Sequence, residues 1–193
     1  MFFILLQTTG IAFDTGARLE DVLLRVASGE KKALEELYHE TRAAVYGFSL
    51  SITKNPSDSE DILQETYLKI WANAEKYKAK GTPMAWILTI TKNLSLMKLR
   101  EKKKYQDLEP QEWDISFHID SEAGTIEDRH LLEAALNLLT EEERQIILLH
   151  AVSGLKHREI ADLLDMALAT VLSKYHRGLK KLRKYLEGVD AND

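Results

Sequence analysis

Cysteine is absent from the 193 residues. That excludes disulfides, thiolate metal sites and a cysteine nucleophile, and it fits a reducing cytosol. Proline occurs three times and glycine nine times, so few breaks are imposed and long elements are expected. No apolar run approaches the roughly 20 residues of a membrane span. The strongest, Phe2 to Leu6, lacks the basic start of a targeting segment. Residues 1–18 are expected to be a poorly ordered extension. Positive charge is not in excess: 26 Lys and Arg against 31 Asp and Glu leave -5. This argues against a chain that coats nucleic acid by charge alone, but it does not exclude local basic surfaces.

Those surfaces exist. Lys98, Arg100, Lys102, Lys103 and Lys104 form one basic cluster and residues 174–184 another, with an acidic stretch between. Hydrophobic residues make up 45% and charged ones 30% of the chain, enough apolar content for a packed core. Nearly every ordered segment repeats its apolar residues at helical spacing, so the fold is expected to be all-α.

The most informative stretch is Thr140 to Leu186. Thr140 and Glu143 have capping-box spacing, and Gly154 suits a left-handed stop. A short helix follows with Ile160, Ala161, Leu163 and Leu164 as its buried side. Asp165-Met166-Ala167 reads as a turn. Val171, Tyr175, Leu179, Leu182 and Leu186 then share one face, while Ser173, Lys174, His176, Arg177, Lys180, Lys181, Arg183 and Lys184 share the other. A short helix, a tight turn and a basic helix form a helix-turn-helix, whose second helix enters the DNA major groove. A helical hairpin with a solvated lysine-rich face is the other reading.

Earlier in the chain, Leu19 to Ala27 is expected to be a short helix ending near Gly29. A longer one carries Leu34, Leu37, Tyr38, Thr41, Val45, Phe48 and Ile52 on one stripe. Asn55-Pro56-Ser57 breaks it. Ser57 and Glu60 have capping-box spacing for the next helix, whose buried stripe is expected to be Ile62, Leu63, Thr66, Tyr67, Ile70 and Trp71. Pro83 suits the first position of a further helix, in which Trp86, Ile87, Ile90, Leu94 and Met97 face inward. From Tyr105 to about Ile126 the periodicity fails and acidic residues dominate. About twenty such residues would span up to roughly 65 Å extended. A helix with Leu131, Leu132, Ala135, Leu136 and Leu139 is expected next. The resulting division is a helical bundle over 19–104, an acidic linker over 105–125, a helix-turn-helix domain over 126–187 and a tail over 188–193.

The ordered set Asp58–Trp71 (DSEDILQETYLKIW), Thr82–Lys104 (TPMAWILTITKNLSLMKLREKKK) and Thr140–Leu186 resembles regions 2 and 4 of bacterial RNA polymerase sigma factors. The small extracytoplasmic-function (ECF) group of the sigma-70 family, with two regions and a linker, is the most similar in layout. The resemblance implies an alternative sigma factor that binds core RNA polymerase and reads the minus-ten and minus-thirty-five promoter elements. It also implies a cytoplasmic location and an anti-sigma factor as a further partner. Neither a cofactor nor a metal is implied.

By that resemblance, Asp58, Asp61, Gln64, Glu65 and Lys69 would dock on the polymerase, where carboxylates suit arginines. Lys78, Lys80, Trp86, Lys92, Asn93, Lys98, Arg100, Lys102 and Lys103 would serve the minus-ten element. Asn93 matches the position that contacts a flipped base, and the lysines would hold phosphates. Trp86 shares a stripe with Ile90 and Leu94, which favours a core role for it. His157, Thr170, Leu172, Ser173, Lys174, His176, Arg177, Lys180 and Lys181 would serve the minus-thirty-five element. The chain departs from the family pattern at Ala167 and Ala169, where Pro and Gly are common, and at Leu172 and Lys174, where arginine is common. It departs again at Met97, where an aspartate usually stands. Leu172 offers no hydrogen-bond donor, so promoter sequence is not transferable from other members.

Two rival readings come from other classes. An enzyme lacks support: Glu127 and His130 give one half of a di-iron motif without a second copy, and no glycine-rich phosphate loop occurs. A free-standing operator-binding regulator would explain the helix-turn-helix but would leave Asp58–Trp71 without a role.

Overall fold

The structure, a computed structural model, describes residues 12–78, 82–105, 131 and 134–190. Residues 1–11, Lys80, most of the acidic linker, Leu132 and the last three residues lie outside them. Among the described residues every element is helical. They are α1 (Ala12–Ala27), α2 (Lys31–Thr53), α3 (Pro56–Asn73), α4 (Pro83–Tyr105), α5 (Glu141–Ala151), α6 (His157–Leu164) and α7 (Leu168–Asp190). A single 3-10 turn, Ala74–Lys76, closes α3, and residues 134–137 are also helical. Residues 12–18 belong to α1, so it starts earlier than the expected helix at Leu19.

The breaks have local causes. Gly29, at φ +88°, takes the left-handed turn between α1 and α2. Arg25 binds it from outside, donating to Glu30 at 2.6 and 3.0 Å and to Glu36 at 3.0 Å. The cap of α3 differs from the sequence expectation. Asn55, not Ser57, is the N-cap, accepting from the Asp58 N–H at 2.9 Å. Pro56 is the reason: its fixed φ and missing N–H suit the first helical position, so the helix starts before Ser57. The box at Thr140 and Glu143 is present, with bonds of 3.3 and 3.0 Å in the two directions.

α2, α3 and α4 pack on one another with α1 along their side, and α5, α6 and α7 form the second group. One apolar cluster runs through both. It includes Leu23, Leu37, Ile70, Ile87 and Leu88 from the first group and Ile146, Leu149, Leu155, Ile160 and Val171 from the second. Each fully buried aliphatic side chain of this kind contributes about 1.5–3 kcal/mol. Buried hydroxyls are bonded inside the first group. Thr41 Oγ1 lies 2.7 Å from Tyr67 OH while donating to the Leu37 carbonyl at 2.6 Å. In the second group the buried Arg144 donates to the Leu136 and Leu139 carbonyls at 3.0 and 3.2 Å, joining 134–137 to α5. At Gly178 a Cβ would lie 2.7 Å from Ile147 Cδ1, so the missing side chain is what lets α7 lie this close to α5.

The two groups touch. α2 lies against α5, and α4 against α6. Lys54 Nζ is 2.9 Å from Glu141, and Gln145 Nε2 donates to the Ser51 carbonyl at 3.4 Å. Lys92 Nζ donates to both the Leu163 carbonyl and Asp165 Oδ2 at 2.7 Å.

Candidate polymerase and nucleic-acid interfaces

The outer face of α3 carries Asp61, Gln64, Leu68 and Trp71 at spacings of three, four and three, so they form one stripe. Asp61 and Gln64 are exposed. Leu68 is 70% exposed and Trp71 37%. The sequence reading placed Trp71 with the buried stripe, and the structure corrects it. Ile62, Thr66 and Ile70 already fill that stripe, and the residue after Ile70 is turned about 100° away. Leu68 was missed altogether. The signal was its position four residues after Gln64. Lys69 is exposed and Glu65 half-buried.

Asp58 is placed differently from its neighbours. Its side chain is buried, with Oδ2 2.5 Å from Lys102 Nζ, an ion pair whose angles fall outside those of a hydrogen bond. Lys98 reaches Asp61 at 3.0 Å and Asp58 at 3.9 Å. The Lys98 ammonium is held above its ordinary range chiefly by the Asp61 hydrogen bond, against burial. The acidic first turns of α3 and the basic end of α4 are therefore already paired with each other.

Along α4, Asn93, Arg100 and Lys103 are exposed, whereas Lys92, Lys98 and Lys102 are each bonded to a carboxylate of this chain. Trp86 is half-buried and meets Tyr77 edge-on at 5.3 Å, as its stripe implied. Tyr77 OH donates to Glu20 at 3.0 Å. Burial first, then that bond, push the phenol up to about 12. The contact fixes the chain where it leaves α3, just before the exposed Lys78.

In the second group the turn between α6 and α7 is made by Asp165, at φ 54°. An aspartate tolerates this left-handed position better than most residues. α7 exposes Leu168, Ala169, Leu172, Ser173, His176, Arg177 and Lys180, and Thr170 is half-buried. Its other flank faces the acidic first turn of α5. Lys174 Nζ bonds Glu142, Arg177 Nε lies 3.4 Å from Glu143 and Lys181 Nζ 2.7 Å from it. The Glu143 side chain is 2% exposed. Burial pushes its carboxyl up, but Lys181 and the Thr140 N–H outweigh that and hold it below its usual range. One glutamate thus caps α5 and fixes α7.

His157 points inward. Its ring stacks on His150 at 4.5 Å and meets Tyr175 edge-on at 4.5 Å. Its Nε2 is buried without a hydrogen-bond partner among the described residues. Burial, then His150 and His176, lower its pKa. His150 Nδ1 lies 2.8 Å from the Leu155 carbonyl, so that nitrogen carries the proton. The sequence reading set His157 among the DNA contacts. Its aromatic neighbours come from α5 and α7, which no local pattern reveals.

Among the described residues no group of three or more His, Asp or Glu has the arrangement of a metal site. No helix there is long and apolar enough to cross a membrane.

Two family descriptions match the chain, Sigma-70 region 2 over residues 37–105 and Sigma-70 region 4 over residues 129–182. The ECF RNA polymerase sigma factor SigK of Mycolicibacterium vanbaalenii is 30% identical over 176 residues, 88% of this chain and 90% of that protein. SigK of Mycobacterium tuberculosis strain H37Ra is 29% identical over 177 residues, 88% and 94% of the two chains. Among solved structures, the sigma factor RpoE bound to the anti-sigma factor NepR from Bartonella quintana aligns with a TM-score of 0.63. It is 22% identical, with 81% of this chain and 98% of that one covered. CnrH in complex with the cytosolic domain of CnrY aligns with a TM-score of 0.57 at 20% identity, covering 86% and 96%.

Proposed function

The chain belongs to the ECF RNA polymerase sigma factors of the sigma-70 family, and on that premise we propose how its surfaces divide the work. It is an alternative sigma factor that binds core polymerase and directs transcription initiation at its promoters. The bundle of 19–104 is the polymerase and minus-ten module, and 126–187 is the minus-thirty-five module. The α3 stripe of Asp61, Gln64, Leu68 and Trp71 is the polymerase-facing surface. Acidic and amide groups flank two exposed apolar side chains there, the composition of an interface with a buried centre and a polar rim. This stripe is the observation that carries the reading, because an operator-binding regulator has no use for it. Exposed Asn93 takes an unstacked base of the minus-ten strand, and Arg100 and Lys103 hold its phosphates. α7 enters the major groove upstream.

The function needs no catalytic residue, since the polymerase performs the chemistry. A location in the cytoplasm follows from the need to meet polymerase and chromosome. Both solved neighbours are complexes with a second protein, CnrY in one and the anti-sigma factor NepR in the other. An anti-sigma factor is proposed for this chain by analogy. Run-off transcription with purified core polymerase on a genomic DNA library tests the function: specific transcripts are expected only when the chain is added. Copurification with core polymerase separates it from an operator-binding regulator.

A further inference from the structure

The recognition helix presents an unexpected chemistry at its base-reading end. Leu168 is 42% and Leu172 36% exposed, and they lie four residues apart on one flank of α7. The exposed residues beside them, Ala169, Ser173 and His176, are small, neutral or aromatic. The cations of the N-terminal half lie elsewhere. Lys174 is turned to the opposite flank and bonds Glu142, and Arg177, though 57% exposed, lies a further turn along with its Nε 3.4 Å from Glu143. Exposed lysine without a glutamate of α5 first appears at Lys180, two turns further on and suited to phosphate. A guanine is best read by a bidentate arginine or lysine, while thymine alone offers the major groove a methyl group, which an apolar side chain contacts.

We propose that Leu172 reads a thymine through its C5-methyl group, with Leu168 extending the apolar contact. This chain's upstream promoter element then carries an A·T pair at the position where a basic side chain would select guanine. The inference rests on α7 being the minus-thirty-five reader.

The test uses holoenzyme assembled from the full chain and core polymerase. Promoter duplexes randomised across the upstream element are selected by binding. Each thymine in the selected element is then replaced singly by deoxyuridine, which lacks only the methyl group. The wild type is expected to select thymine at one fixed position and to bind the deoxyuridine duplex about four-fold more weakly there, the equivalent of one buried methyl-sized group. Leu172→Ala should discriminate the two duplexes less than the wild type does, and Leu172→Arg should shift selection toward guanine. Leu172 is exposed, so the variants are expected to keep the helicity of the parent, which circular dichroism checks. Selection of guanine by the wild type, or equal binding of thymine and deoxyuridine at every position, overturns the proposal while leaving the assignment of α7 intact. Absence of any selected upstream element overturns that assignment and the proposal together.

Discussion

Lys92 on α4 and Asp165 in the turn before α7 are joined at 2.7 Å, and Lys92 also donates to the Leu163 carbonyl. A lysine on α4, the helix proposed to serve the minus-ten element, is thereby attached to the turn of the helix-turn-helix. The two promoter elements lie about 25 base pairs apart, or about 85 Å along B-form DNA. Helices in direct contact do not read both, so the proposed assignment requires α4 and α6 to separate on the promoter.

Lys92→Ala is therefore expected to open the chain. Asp165 is highly exposed, so solvent screens the ion pair and its own share is small. Loss of the carbonyl bond adds to it. Fluorophores on α4 and α7 should report a larger mean separation in the variant than in the wild type at low salt. Equal separations would show that the contacts of α2 with α5, Lys54–Glu141 and Gln145–Ser51 among them, suffice to hold the groups together.

Leu68→Ala with Trp71→Ala should weaken core-polymerase binding by at least about ten-fold, since aromatic anchors at an interface centre carry much of its energy. Both side chains are exposed, so thermal unfolding should move little. Fluorescence titration with core polymerase measures the effect, and unchanged affinity would remove this stripe from the interface.

Glu143→Gln should lower stability by about 1–3 kcal/mol, because it leaves Lys181 and Arg177 without their carboxylate and weakens the cap of α5. In a chain of this size the melting temperature should fall by on the order of 5 °C. The acid response follows from the same residue. Its carboxyl is held below the unfolded value of about 4.3, so its stabilisation is complete above that pH. It is lost as pH falls through the folded value. Acid titration of the variant should lack that component.

His157 gives a second pH response, in a higher range. Its folded pKa lies below the unfolded value of about 6.5, because the ring is buried against His150 with His176 close by. The neutral ring is favoured in the folded state, so stability is full above about 6.5 and declines as pH falls below it. His157→Phe keeps an aromatic ring on Tyr175 and should flatten the stability profile between about pH 7 and pH 5. An unchanged slope would place the titrating group elsewhere.

The helices were readable because their punctuation is local. Pro83, Gly154 and the Thr140–Glu143 pair each mark an end by their own backbone preferences, and the apolar stripe of α7 follows from spacing alone. Side-chain engagement was not readable. Lys102 meets Asp58, Lys174 meets Glu142 and Lys181 meets Glu143 only because separate helices lie side by side. A basic face read from sequence therefore looks uniformly available, although Lys92, Lys98, Lys102, Lys174 and Lys181 are occupied at home. Trp71 is the smaller case: its aromatic character suggests core, but its predecessor Ile70 already fills that direction.

With these lysines at the proposed DNA interface, the domestic pairing of Lys92, Lys98, Lys102, Lys174 and Lys181 alters what dissolved electrolyte does to promoter binding. A lysine that enters DNA from bulk solution displaces a condensed cation from the duplex, and affinity falls steeply as ionic strength rises. A lysine that first abandons a neighbouring aspartate or glutamate exchanges one anion for another and leaves that acid facing the phosphates. The slope of log affinity against log salt should be shallower than the number of basic groups at the interface would give, making promoter occupancy comparatively indifferent to swings in cellular potassium.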